Sequence, residues 1–286
     1  LPGMNTVLAN FNERIGLDKG IRVRKQFVAA EAGTQASQKF MSSIVGGVPP
    51  DCYWFDRFLV PAWAGQNLLV CLDDYADSAG IDRDDFMPIL ASEATLCGKL
   101  YTIGIFTDCC LLMWRKEDFK EVGLDPEQPP TNLAELDEMS KKLTKRRKDG
   151  SLERIGIYPH YLNYGWAYHW LGTPNEPEGK NFWDFEKNTA ACDDPRIVEC
   201  AEWTQSYAEM YNIDMIDSFR EGFGGGATDP FGMGQMAMAR MGDWMLQTYE
   251  RYFPEMEYGT ALMPIPEEDG GISKSSCGGG WSMVIP

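Results

Sequence analysis

With 286 residues, 44% hydrophobic, 24% charged and 12% aromatic, the chain has the composition of a globular protein, long enough for one large domain or two modest ones. That excludes disordered, collagen-like and coiled-coil chains, and no apolar run approaches the length of a transmembrane helix. The 26 Lys and Arg against 43 Asp and Glu leave a formal charge of −17, which repels phosphate backbones and argues against a nucleic-acid partner.

Met4, Val7, Leu8, Phe11 and Ile15 recur at helical spacing and predict a first helix. Asp18-Lys19-Gly20 then turns the chain into a strand expected over residues 21–27. A polar helix over 34–45 is ended by Gly46-Gly47 and forbidden to continue by Pro49-Pro50, and residues 51–55 read as a short aromatic strand. Residues 109–115, apolar without a break up to Arg115, read as a strand buried on both faces, and 118–122 predict a short helix closed by Gly123. Asn132 with Glu135 three residues on is a capping-box start for a helix whose inner face carries Leu133, Leu136 and Leu143. Further helices are expected over 195–211 and 243–253, and strands over 235–241 and 258–263. This alternation argues for an α/β class. Gly222–Gly226 lacks a Gly-Lys-Ser/Thr ending, and Gly278-Gly279-Gly280 precedes a strand, so neither is a phosphate loop.

The eight cysteines include no Cys-x-x-Cys pair and there are only two histidines, so no metal site is expected and the cysteines read mostly as small buried hydrophobes. No Gly-x-Ser-x-Gly is present. The basic run from Lys141 to Lys148 complements a helix C-terminus and reads as a solvated helix end.

Aromatics cluster. Tyr158, Tyr161, Tyr164, Trp166, Tyr168 and Trp170 surround Asn163, His160 and His169, while Tyr53-Trp54-Phe55 precedes Asp56-Arg57. Trp244 follows Asp243 at a strand-to-helix turn, and Trp281 follows the triple glycine. Core packing explains any single ring. Several clusters, each beside an acid or amide at an element end, point to a ligand with an apolar face and hydroxyl groups, such as a sugar. Asp56, Asp108 and Asp243 also admit the acid–base pair of a glycosidase, but hydrogen bonding or loop capping is the favoured reading of such acids.

In order along the chain, Gly46-Gly47-Val48-Pro49-Pro50-Asp51, Gly98-Lys99-Leu100-Tyr101, Leu112-Met113-Trp114-Arg115-Lys116, Phe119 to Leu124, Pro130 to Leu136, and Gly234 to Trp244 carry a resemblance. They resemble the extracellular solute-binding proteins of ABC importers, in the sugar-binding, maltose-binding-protein-like group. Gly104 or Ile105 stands where that family usually has Pro, Arg115 where it has Asn, and Leu133 where it has Trp.

The resemblance implies a type II, two-lobed periplasmic-binding-protein-like fold. The first lobe would span 1–105, a hinge crossover 106–109, the second lobe 110–278, and a second crossover 279–286 returning to the first lobe. It carries ligand contacts onto Trp54, Asp56, Arg57, Asp108 and Trp244, with the Tyr161–Trp170 cluster replacing an aromatic loop. With Tyr161, Trp166, Asp243 and Trp281 from the aromatic and acidic clusters, these are the candidate ligand-binding residues. The implied protein is a monomer without cofactor or metal that delivers a sugar or oligosaccharide to a membrane permease. It would sit in the periplasm or outside the cell, and the resemblance allows lipid anchoring through a preceding segment. It further implies a fragment lacking the family's first strand and final helices. A polyamine or polyol binder of the same fold is the alternative, and a glycoside hydrolase a more distant one.

Overall fold

Two separate antiparallel sheets organise the computed structural model, which describes residues 2–26, 34–159, 164–171, 182–184, 187, 189–276 and 278–286. Six strands build them: β1 (Tyr53–Asp56), β2 (Ile103–Gly104), β3 (Cys110–Arg115), β4 (Met238–Gly242), β5 (Tyr258–Ala261) and β6 (Trp281–Val284). The first sheet has the order β1-β6-β2 and the second β4-β3-β5. β3 is the central strand that its apolar run predicts: Cys110, Leu112, Met113 and Trp114 are buried, with β4 on one side and β5 on the other.

Each sheet has its own core. Around the second, Leu112, Phe119, Leu136, Leu143, Ile155, Tyr207 and Met238 form one continuous cluster. Around the first, Phe40 of the Thr34–Val45 helix stacks on Tyr53 at 4.0 Å and on Trp63 at 5.2 Å, with Phe55 and Val284 closing the cluster. Val284 belongs to β6, so a strand distant in sequence from β1 packs into the first sheet's core.

Local chemistry explains the start of the Leu133–Leu143 helix. Asn132 accepts the Glu135 N–H at 2.9 Å, as an N-cap should. Glu135 reaches back to Thr131, accepting its N–H at 2.8 Å and its hydroxyl at 2.7 Å, so the reciprocal half of the box is shifted by one residue. Within the basic run Lys141 pairs with Glu138 and Lys145 with Glu121, and the helix end is solvated as read.

Several expectations are corrected. Residues 21–26 form no ladder among the described residues, and Phe27 lies outside them. The Asn12 side chain occupies both backbone groups of Val23, accepting its N–H at 2.8 Å and donating to its carbonyl at 2.9 Å. The first helix turns into a π-helical stretch at Phe11–Gly16, and its anticipated inner face is open, with Val7 and Ile15 exposed. β4 starts at Met238, because the N–H groups of Gln235 and Met236 are spent on the Pro230 carbonyl. The helix expected from 243 opens as a tight turn at Asp243–Met245 and becomes α-helical only over Leu246–Tyr252. Cys110 and Cys200 are buried, but Cys52, Cys97, Cys109 and Cys192 are exposed rather than packed. Among the described residues no helix is long and apolar enough to cross a membrane.

Candidate functional site

The tetrapeptide Tyr53-Trp54-Phe55-Asp56 sorts itself by strand periodicity. Alternate residues of a strand face opposite ways. Tyr53 and Phe55 enter the core, while Trp54 and Asp56 share the other face and stay half-buried. Asp56 pairs in register with Trp281 and Trp54 with Met283, which places Trp281 on that same face. The Trp54 and Trp281 ring centroids are 6.5 Å apart. Phe106 joins them, 6.2 Å from Trp54 and exposed to solvent. Three rings thus stand beside Asp56 where the chain leaves one sheet for the other.

The two connecting segments run side by side. Asp108 and Gly279 form an isolated antiparallel bridge: the Gly279 N–H donates to Asp108 Oδ1 at 2.7 Å, and the Asp108 N–H to the Gly279 carbonyl at 3.3 Å. A Cβ on Gly279 would lie 2.8 Å from that carboxylate oxygen, so a larger residue there would displace the Asp108 side chain. Asp243 is exposed and donates its N–H to the Cys109 carbonyl at 3.2 Å, which brings the start of its turn to the same junction. Trp244 is 55% exposed and lies over Gly242, where a Cβ would collide with its ring.

These acids feel one another. Burial, then the neighbouring charges of Asp108 and Glu93, push Asp56 up to about 6. Burial raises Asp108 as well; Asp243 adds to the rise, whereas the Gly279 N–H and the Arg57 charge oppose it. Near neutral pH the junction therefore presents carboxylate acceptors beside aromatic rings.

Two candidates are corrected. Arg57 is not open to a ligand: it is 0% exposed, and its guanidinium donates to Glu93, Phe106, Thr107 and Gly279. Trp166 is a core ring, 2% exposed and 5.0 Å from Trp203, because it sits on a turn buried by the Pro195–Tyr211 helix. Tyr161 lies outside the described residues. His169 is buried too. Its Nδ1 lies 2.8 Å from the Ser275 carbonyl and its Nε2 accepts from Arg240 Nε at 3.0 Å, while burial and the Arg240 charge push it down to about 4. It is a neutral strut for the segment leading into β6. The sequence reading overlooks Phe106, Glu93 and Thr107; the signal available for Phe106 was an aromatic residue inside the connecting segment. Among the described residues no group of three or more His, Cys, Asp or Glu is arranged to hold a metal.

Among the described residues the molecule has two three-stranded sheets, a core beside each, and a pair of adjacent connecting segments. The family model described as "Bacterial extracellular solute-binding protein" matches residues 7–286. The chain belongs to that family. Its architecture is the two-lobed type II binding-protein fold, with hinge crossovers between the lobes. Among solved solute-binding proteins, it is similar to CpMnBP1 with mannobiose bound, with a TM-score of 0.82 at 28% identity over 100% of this chain and 71% of that one. CpMnBP1 with mannotriose bound gives 0.80 at 27% identity, with the same coverage. The sn-glycerol-3-phosphate-binding periplasmic protein UgpB of Salmonella typhimurium is 26% identical over 218 residues, covering 72% of this chain and 46% of that protein. The chain thus spans about half the length of the curated relatives it matches.

Proposed function

We propose that this chain is the solute-binding part of an ABC importer and holds a sugar or oligosaccharide between its lobes. The observation that carries the reading is the face shared by Trp54, Asp56 and Trp281, with Phe106 and Asp108 beside it. Rings stack against the C–H face of a pyranose, and carboxylates accept its hydroxyls. The mannobiose and mannotriose bound to CpMnBP1 make short mannosides the first ligands to try. Among the described residues Arg57 is committed internally, which favours an uncharged ligand over a phosphorylated one.

The remaining parts follow from that reading. Lobe one spans 1–105, the first crossover 106–109, lobe two 110–278 and the second crossover 279–286. Asp243 and Trp244 approach the ligand from the second lobe as it closes. Closure can be driven only by tighter binding to the closed state. The closed form delivers solute to a membrane permease, as a monomer outside the cytoplasm, and the solute leaves chemically unchanged.

Isothermal titration with mannobiose, mannotriose, glycerol 3-phosphate and spermidine, with each compound assayed for breakdown, tests this. Heat of binding with a mannoside and intact sugar afterwards supports it. Binding of spermidine alone would turn the same rings and acids into a polyamine site, and release of monosaccharide would make the protein a hydrolase.

A further inference from the structure

Arg57 follows the ligand face of β1, yet it turns away from it. Its Nη1 donates to the Phe106 carbonyl at 2.7 Å, in the first crossover, and its Nη2 to the Gly279 carbonyl at 2.6 Å, in the second, with Thr107 Oγ1 at 3.4 Å. Its Nε meets Glu93, which is the compensation a fully buried guanidinium requires. The Arg57 backbone N–H donates to the Gly280 carbonyl at 3.0 Å.

The short Pro88–Glu93 helix that supplies Glu93 packs against the residues that lead into the same two segments. A Cβ on Gly278 would lie 2.2 Å from Ile89 Cδ1, and one on Gly104 3.0 Å from Leu90 Cδ2. A Cβ on Gly280, whose φ is +130°, would lie 2.6 Å from the Phe106 carbonyl and 3.2 Å from Arg57 Nη1. Arginine, helix and glycines therefore interlock with no room between them.

We propose that Arg57 is a positioning residue, a clasp that ties both crossovers into one hinge and sets the Asp108 carboxylate for the ligand, and does not itself touch the ligand. This rests on the sugar-cleft reading only for the ligand's place. The planar fork of arginine is what reaches acceptors on two segments at once; a lysine keeps the charge and loses the fork. Asp108 Oδ1 is fixed by the Gly279 N–H, and the Gly279 carbonyl is fixed by Arg57, so the acid is held through the clasp.

The test is amide hydrogen exchange on the ligand-free chain, followed by mannobiose titration against pH. In the wild type, the amides of Arg57, Asp108 and Gly279 should exchange slowly although they lie at an open junction. In Arg57→Lys those amides should exchange at least about tenfold faster, while Leu112 and Met113 in β3 keep their rates. Mannobiose affinity should fall by a similar factor at an unchanged pH midpoint, because the charge beside Asp108 remains. Arg57→Gln should also move that midpoint upward.

Unchanged crossover exchange in Arg57→Lys overturns the proposal, and weaker mannobiose binding with that result would make Arg57 a ligand contact. Should neither variant fold, wild-type crossover amides that exchange like a free loop overturn it equally. If the wild type binds no mannoside yet the exchange pattern holds, the sugar reading fails and the clasp stands.

Discussion

The segments 53–57 and 158–170 carry the same sequence signature, aromatic rings interleaved with polar groups, and the fold uses them in opposite ways. The first is a strand ending at the crossovers, so alternation leaves Trp54 and Asp56 on an open face while Phe55 packs inside. In the second, Trp166 and Trp170 are buried against the Pro195–Tyr211 helix through Trp203. Ring density marks both a core and an open face. What separates them is whether the ring's strand ends at a junction crowded with glycine.

That contrast can be broken experimentally. Trp166→Ala should cost about 3–5 kcal/mol of folding stability, as large core truncations do, measured by denaturant unfolding. A loss under about 1 kcal/mol would mean that the second cluster is a surface after all. Trp54→Ala should leave the unfolding midpoint nearly in place and weaken mannobiose binding at least about tenfold, consistent with the loss of one stacked ring and its burial. If stability falls and affinity does not, the face is a packing surface.

Asp56→Asn sharpens the electrostatic half of the comparison. Because Asp56 titrates near 6, the folded protein keeps its proton where the unfolded chain has already released it. Stability therefore declines as pH rises from about 4 to about 6, and the penalty is full at pH 7. Removing the charge should stabilise the protein at pH 7 by about 1 kcal/mol, a figure reduced for the partial exposure of the group, and change little at pH 4. The same variant should abolish any weakening of sugar binding as pH falls through about 6. Thermal melts and titrations across pH 4–8 decide both. Trp244→Ala should have the smallest effect: no measurable change in stability, since the ring is largely exposed, and a fewfold weaker affinity if lobe two closes over the ligand.

How much of this was legible in the sequence depended on the range of the interactions. Some helix ends were legible, because Asn132, Gly123 and Pro49-Pro50 act on their immediate neighbours, whereas the α-helix expected from 243 starts only at Leu246. So was β3, whose burial on both faces shows as an unbroken apolar run. The fate of residues 21–26 was not, since it turns on a side chain at Asn12 that competes for Val23. Nor was the role of Arg57. A basic residue after an acid reads as a ligand pair until the carbonyls of Phe106 and Gly279, far off in sequence, prove to converge on it. Only the tertiary contacts could divide these residues between an open face and a buried polar network.

The place of β6 has a consequence for how the molecule is made. The sheet of the lobe synthesised first has its central strand at residues 281–284, whereas the other sheet is complete once Ala261 has been added. During translation the later lobe can close first, and the earlier one waits with β1 and β2 unpaired at its middle. An exposed strand edge of that kind invites wrong partners, so refolding of this chain should pass through a species with one finished lobe and one open one. The covalent order of the chain and the temporal order of its folding run in opposite directions.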